Sequence, residues 1–464
     1  MADASGPPGT ASISRWRWLL LVAAVASFHL AWLVPALAIL VLLHVFSLIL
    51  YARLAPTPRQ AFYGGLAAGM AVVGPWMGFL LGIFGYAGVA LWGIVAFWTG
   101  VFVLLARAAF LRLSPWKAAV LVPFLWTGVE YFRCELYPLK FTWLTPGFAF
   151  FDGPTPGQPL YLGVHGIGFL LAAFAAAVTA VPRRWNWIPV VPFGLLLFFH
   201  PGLPPAGPAR AFRVAGLQLE GADADGIPRR LDTLLREHPG TDLIVLPEYT
   251  FAGPVPDGVR AWCRRNRKHL VAGGMDLLQG DEFRNTAFVI GPDGTEVFRQ
   301  VKSVPIQFFK DGLPATEQGI WNSPWGKVGI CICYDLSYTR VVDRLVEKGA
   351  QVIVAPTLDA TGWGETQHRL HARVAPTRAA EYGVPVVRVC SSGISQIVDE
   401  RGKVVASAPF PGAGASIAAT VTPVERGRLS WDRWLAPFCT AVAGAWMAWA
   451  IVDALRRRWG PRTT

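Results

Sequence analysis

Charge is scarce in this chain. Acidic and basic residues make up 16% of its 464 positions, and 53% are hydrophobic, whereas ordinary globular domains carry about a quarter charged residues. That excludes a chain that is soluble throughout. Cysteine is scarce too. The six, at 134, 263, 331, 333, 390 and 439, include no C-x-x-C pair, which excludes a disulfide framework and a cysteine-built zinc site. His368 and His371 stand three apart but lack a third ligand, so no metal is expected. GPPGT (6–10) lacks the lysine and the strand of a phosphate loop. The net charge of +12 does not require nucleic acid, because basic residues collect in the cytoplasmic loops of membrane proteins.

The apolar residues are unevenly spread. Long apolar runs fill 17–201 and return at 434–455, while 208–431 has mixed composition. About 20 apolar residues span the hydrocarbon core. Eight segments are expected to do so: 17–35, 36–52, 61–84, 87–110, 117–133, 159–181, 186–201 and 434–455. Arg15 and Arg17, Arg53 and Arg59, Arg107, Arg112 and Lys117, Arg183 and Arg184, and the arginines at 456–458 and 462 fall in alternate connections. The intervening turns near 33–36 and 84–87 carry no charge. By the positive-inside rule both termini are cytoplasmic. The expected organisation is a transmembrane domain (1–201), an extracytoplasmic domain (202–433), and a final helix with a basic tail (434–464). No cleaved signal peptide is expected, and PGLPPAGPAR (201–210) reads as a linker.

From 211 onward short apolar runs alternate with turns. FRVAGLQLE (212–220) alternates as a strand, GIPRRLDTLLREH (226–238) has helical spacing, and DLIVLPE (242–248) is a buried strand ending in an acid. Further strands are expected at 270–277, 326–336, 351–359 and 384–392, with helices at 258–268, 338–350 and 364–382. Hairpins are expected at 285–302, through Pro-Asp-Gly, and at 393–407. This is a layered α/β domain whose sheet is partly parallel and partly antiparallel.

Chemistry in such sheets gathers beyond the carboxyl ends of strands, where Glu248, Lys302 and Cys333 fall. A thiol attacking an acyl carbon needs a base for its proton and a cation for the oxyanion. A nearby ammonium is expected to favour the thiolate. Singly, each residue has a plain structural reading: a surface acid, a solvated lysine, a packed thiol. Their settings, LPEYTF, FRQVKSVP and ICYDL, in that order, favour chemistry.

With these stretches the sequence resembles the nitrilase (carbon–nitrogen hydrolase) superfamily, whose αββα sandwich carries a Glu–Lys–Cys triad. The whole chain is similar to the apolipoprotein N-acyltransferase family, which has eight transmembrane helices and an extracytoplasmic nitrilase-like domain before the last. FTWLTPGFAFF (141–151), LYLGVHGIGFLLA (160–172) and the run 358–405 carry the likeness further. The resemblance implies Cys333 as nucleophile, Glu248 as general base, and Lys302 with the Tyr334 backbone N–H at the oxyanion; Cys331 reads as core. Asp335 stands where the family has a glutamate. The family's V-P-F-G-E glutamate is missing from VKSVPIQFFKDG (301–312), leaving Asp311 as the nearest acid. LPE replaces W-P-E, and an expected tryptophan is absent from LQLEGADADGIP (217–228).

The resemblance implies a monomeric, cofactor-free acyltransferase of the cytoplasmic (inner) membrane. It would move a fatty acyl chain from a phospholipid, through a thioester on Cys333, to the α-amine of a diacylglyceryl-modified apolipoprotein. The alternatives are a membrane-tethered amidase that passes the acyl group to water, and a non-enzymatic membrane scaffold. Glu130 and Glu135, near the outer end of the fifth segment, are further candidates, since acids near a bilayer are often functional; the plain reading pairs them with Arg133 or Lys140.

Overall fold

The computed structural model describes residues 10–152, 158–180, 184, 188–199, 202, 205, 210–412 and 414–459. Arg183, Arg462, residues 6–9 of GPPGT and most of the linker expected at 201–210, where the first domain boundary was set, lie outside them. The chain forms two compact units. One takes the described residues up to 152, Leu162–Phe199 and the chain from Trp434; the other takes 158–161 and the chain up to Arg433. The 158–161 piece thus groups with the second unit, where the Tyr161 ring meets Trp431 edge-on at 5.8 Å.

The first unit is helical. Its elements are α1 (Thr10–Leu33), a 3-10 turn (Pro35–Leu40), α2 (Val41–Leu54), α3 (Pro58–Trp76), α4 (Phe79–Phe84), α5 (Ala87–Arg112), α6 (Pro115–Tyr131), α7 (Val164–Ala180), α8 (Val190–Phe198) and the C-terminal helix Asp432–Trp459. Among the described residues, Trp16–Leu33, Pro35–Leu54, Ala87–Arg112 and Asp432–Arg458 are long and apolar enough to cross a membrane; Val164–Ala180 is a shorter apolar helix.

Two expected crossings differ. The segment 61–84 breaks after Trp76, because Pro75 has no N–H for the Ala71 carbonyl one turn back. His29 supplies the missing donor. Its Nδ1 accepts the Trp76 indole N–H at 3.0 Å, so Nε2 carries the hydrogen and donates to Ala71 O at 3.1 Å. In 186–201 the helix runs only over Val190–Phe198, rising roughly 14 Å against a hydrocarbon core of about 30 Å. Pro189 and Pro192 bracket its start.

Small residues let α3 and α5 approach closely. A Cβ on Gly65 of α3 would lie 2.9 Å from the Gly100 Cα of α5, and one on Gly69 would lie 3.0 Å from the Ala96 Cα. Backbones that approach this closely need small residues at i and i+4 on both helices. Glu130 lies buried with His165 Nδ1 at 3.4 Å, while Arg133 donates to the Phe141 carbonyl at 2.7 Å. Glu135 is buried in the π-helical turn Phe132–Leu136.

The second unit contains two six-stranded sheets. Its strands are β1 (Phe212–Leu217), β2 (Leu243–Val245), β3 (His269–Leu277), β4 (Phe283–Ile290), β5 (Glu296–Val301), β6 (Ile320–Ser323), β7 (Gly326–Ile330), β8 (Val352–Thr357), β9 (Val386–Cys390), β10 (Ser395–Val398), β11 (Val404–Ala408) and β12 (Ser416–Val421). The sheet orders are β12-β1-β2-β3-β4-β5 and β11-β10-β9-β8-β7-β6. In each, three central parallel strands are flanked by antiparallel neighbours.

Helices α9 (Ile227–Glu237) and α10 (Asp257–Asn266) cover the first sheet, placing Ile227, Leu231, Leu234, Val259 and Trp262 in its core. Helices α11 (Thr339–Glu347), α12 (Glu365–Ala372) and α13 (Val374–Tyr382) belong to the second sheet's side, α11 packing on β7 and α13 on β9 and β10. The helix expected over 364–382 divides at Arg373 because Pro376 cannot donate to the Ala372 carbonyl. Aromatic rings join the sheets: Phe212 stacks on Trp325 at 4.7 Å, and His269 meets Trp325 edge-on at 5.0 Å. The result is an αββα sandwich, and the C-terminal helix is α14.

Replacing Gly65 with leucine is expected to cost about 1–3 kcal/mol through overpacking. It should lower the melting temperature in detergent, whereas Gly93→Leu, which faces open space on α5, should not. Equal melting of the two variants would refute the close α3–α5 contact.

Candidate active site

Three strand ends deliver the three residues singled out by spacing. Beyond β2 the chain keeps pairing alongside β3, with Leu246 N–H on the Val271 carbonyl at 2.8 Å and Gly273 N–H on the Pro247 carbonyl at 3.0 Å. This carries Glu248 to the sheet edge. A Cβ on Gly273 would lie 2.4 Å from the Glu248 Cα, so Glu248 stands where only glycine leaves room behind it. Lys302 directly follows β5 and is fully buried. Cys333 follows β7, opens the 3-10 turn Cys333–Ser337 and is 2% exposed.

Two of these loops are strained. Tyr249 and Cys333 adopt φ of 54° and 52°, a left-handed conformation that costs non-glycine residues about 1–3 kcal/mol. Hydrogen bonds hold both. The Asp335 carboxylate accepts from the N–H groups of Ile332 (3.1 Å), Ser303 (3.0 Å) and Val304 (2.7 Å), tying the nucleophile's turn to the segment after Lys302. Tyr249 donates its hydroxyl to Asp311 Oδ1 at 2.7 Å.

The charged groups converge on one ammonium. Lys302 Nζ lies 2.8 Å from Glu248 Oε1 and 2.7 Å from Asp311 Oδ2. Asn285 Nδ2 bridges the same two acids, donating to Glu248 Oε1 at 2.6 Å and Asp311 Oδ1 at 2.9 Å. The Ile306 N–H donates to Asp311 Oδ2 at 2.8 Å. The other Glu248 oxygen, Oε2, accepts the Leu358 N–H at 2.7 Å, while the Leu358 carbonyl accepts from the Cys333 thiol at 3.6 Å.

Burial opposes the Lys302 cation, but the carboxylates of Glu248 and Asp311 outweigh it and hold the ammonium protonated well above its usual range. Burial raises Asp311 too, yet Lys302 and its other donors keep it below the usual carboxylate value. Burial and the neighbouring Asp311 charge leave Glu248 raised despite Lys302. Burial also pushes Asp335 up to about 6 against its backbone donors. The thiol corrects the sequence reading. Lys302 does favour the thiolate, but burial first and the Glu248 charge second push Cys333 well above a free cysteine. At rest Cys333 is a thiol.

The supporting residues fall as follows. Asp311 joins Lys302 directly, and Asp335 acts through three backbone N–H groups. Tyr334 follows the nucleophile with its ring edge-on to Tyr338 at 5.0 Å. Cys331 is fully buried; β7 ends at Ile330 and Cys333 turns left-handed, so strand alternation does not relate the two thiols. His371 Nδ1 bonds Asp359 at 2.7 Å, and His368 stacks on Phe410 at 3.9 Å. Among the described residues no group of three or more His, Cys, Asp or Glu is arranged to hold a metal ion.

Sequence reasoning missed Asn285, Tyr249 and the Leu358–Asp359 step. An asparagine inside the buried strand FRNTAFVI was one signal. The other was an acid closing the apolar run QVIVAPTLD, as acids close DLIVLPE and GICICYD.

Residues 213–423 match the carbon–nitrogen hydrolase family model, the class this sandwich and its cysteine-bearing strand end define. Residues 19–177 match the model of the apolipoprotein N-acyltransferase N-terminal domain. Among relatives, apolipoprotein N-acyltransferase of Shewanella oneidensis is 24% identical over 432 aligned residues, covering 78% of this chain and 82% of its own. That of Azotobacter vinelandii is 26% identical over 513, covering 96% and 97%. A solved structure of Saccharomyces cerevisiae Nit3, a nitrilase-superfamily member, overlaps at a TM-score of 0.40 and 23% identity, over 46% of this chain and 91% of that one. The chain belongs to the apolipoprotein N-acyltransferase family.

The raised thiol yields an expected reactivity. Because the thiolate is the attacking form, alkylation of Cys333 by iodoacetamide should be slow at neutral pH and still rising above about pH 9. Intact mass beside Cys333→Ala follows the labelling. A plateau near neutrality would mean that Lys302, not burial, governs the thiol.

Proposed function

We propose that this membrane enzyme takes a fatty acyl chain from a phospholipid and delivers it to the α-amine of the N-terminal diacylglyceryl-cysteine of an apolipoprotein. The acyl group passes through a thioester on Cys333. The observation that carries the reading is Glu248, with one oxygen on Lys302 and the other on the Leu358 peptide that also meets the Cys333 thiol. A raised carboxylate beside a raised thiol suits proton transfer coupled to attack, for which a resting thiolate is unnecessary.

In the first half-reaction the Cys333 proton moves to Glu248 as Sγ attacks the ester carbonyl carbon. Lys302, with the Tyr334 backbone N–H, stabilises the tetrahedral oxyanion. The C–O bond breaks, the lysophospholipid alkoxide takes the proton from Glu248, and a thioester remains. In the second half the neutral amine attacks the thioester carbon and gives its proton to Glu248. The C–S bond breaks, and the proton returns to Cys333 as the amide leaves. Splitting the transfer this way predicts ping-pong kinetics. Asp311 fills the place of the missing family glutamate by neutralising Lys302, and Asp335 holds the nucleophile's turn. The alternation of basic loops supports a cytoplasmic-membrane protein with its sandwich on the extracytoplasmic side, acting as a monomer.

The test is intact-mass analysis in detergent, with phospholipid and then with a diacylglyceryl-cysteine peptide. The expected result is a gain of one acyl chain, absent in Cys333→Ala, that moves to the peptide amine. Glu248→Gln should slow acylation by roughly 10²-fold or more. An acyl-enzyme that decays only to free fatty acid would instead make the protein a hydrolase, and a Cys333→Ala variant that still acylates would remove the thioester.

A further inference from the structure

The Leu358 peptide touches both partners of the proton transfer, so whatever fixes that peptide sets their relation. Its N–H is on Glu248 Oε2 at 2.7 Å and its carbonyl faces the Cys333 thiol at 3.6 Å. Leu358 directly follows β8 and has no pairing strand of its own. The anchor is the next residue. We propose that Asp359 is a positioning residue, whose buried side chain and pinned main chain hold the Leu358 peptide so that base and thiol stay in register during acyl transfer.

Asp359 is fully buried, and its side chain makes three attachments. Oδ1 accepts from His371 Nδ1 at 2.7 Å and from Gln367 Nε2 at 3.0 Å, both on α12; Oδ2 pairs with Arg388 of β9. Its main chain is clamped at both ends by one hydroxyl. Ser391 Oγ accepts the Asp359 N–H at 3.0 Å and donates to the Asp359 carbonyl at 3.0 Å. Ser391 is itself fixed by its N–H on the Thr357 carbonyl at 3.0 Å. Arg388 donates also to the Ile394 carbonyl at 2.8 Å.

So much buried polarity exceeds what a loop end requires. A fully buried Asp–Arg pair is weak evidence of stability, because desolvation consumes much of its attraction. Holding one peptide against two reacting groups gives it a use: misplacing a reacting group by about 1 Å costs roughly a hundredfold in rate. The charges agree. The groups facing the Cys333 thiol are Glu248, Lys302 and Asp359, with Arg388 behind Asp359. Burial lowers His371 to about 4, leaving it neutral at working pH. Burial opposes the Asp359 charge, but His371 and Arg388 hold the carboxyl well below its usual range. It stays ionised throughout.

This inference rests on the proposed acyl transfer and is tested by two variants of the full-length protein in detergent. Asp359→Asn should lower kcat for transfer about a hundredfold with little change in KM. It should also move the pH midpoint of Cys333 alkylation downward, since a carboxylate opposing the thiolate is gone while Arg388 remains. Ser391→Ala keeps every charge and loosens only the main chain, so it should lower kcat about tenfold and leave the alkylation midpoint unmoved. A merely structural role would lower the melting temperature and leave kcat per folded molecule and the midpoint alone; that result for Asp359→Asn overturns the proposal. Should Asp359→Asn not fold, unchanged kcat in Ser391→Ala overturns it. Wild-type protein that transfers no acyl group would sink the proposed function, and the alkylation midpoint would still read the Asp359–Cys333 coupling.

Discussion

An ammonium with no exposed surface dictates the arrangement around it. Removing one ion from water costs several kcal/mol even after relaxation, and leaving it buried without its partner costs about 3–5 kcal/mol. Lys302 therefore needs compensation from within, and two carboxylates provide it from different loops, at 2.8 and 2.7 Å. Two acids against one cation leave one negative charge uncompensated. Asp311, with four donors, takes the ionic role. Glu248 is left with the raised proton affinity.

The division of labour between sheets follows. The first sheet supplies Glu248 after β2 and the Lys302 cation after β5. The second supplies the thiol after β7 and the Leu358 peptide after β8. Asp335 crosses between them, its carboxylate gathering backbone N–H groups from both the lysine segment and the cysteine turn. A shift of one sheet against the other would therefore separate Glu248 from Cys333, and the Phe212–Trp325 and His269–Trp325 ring contacts resist that shift.

Much of this was legible in the sequence, for physical reasons. Periodicity located most strands and helices, the strand ends marked Glu248, Lys302 and Cys333, and the family resemblance added Asp335. What stayed hidden depended on contacts between distant segments. β12 was missed because SIAATV is short and weakly apolar, and it becomes a strand only by pairing with β1. The break at Arg373 was written in Pro376 and overlooked. Asn285 and Tyr249 gain meaning only when Asp311, on another loop, arrives beside them. The direction of the thiol's shift was beyond sequence altogether, since it turns on burial, which no local pattern reports.

All six cysteines are free of disulfides and buried, and burial holds Cys333 among them in its protonated form. Oxidation to sulfenic acid or a mixed disulfide selects exposed thiolates. A Cys333 thiol kept behind a 2% exposed surface is poorly placed for either fate. The same burial that withholds reactivity from the resting thiol thus also shields it from oxidation.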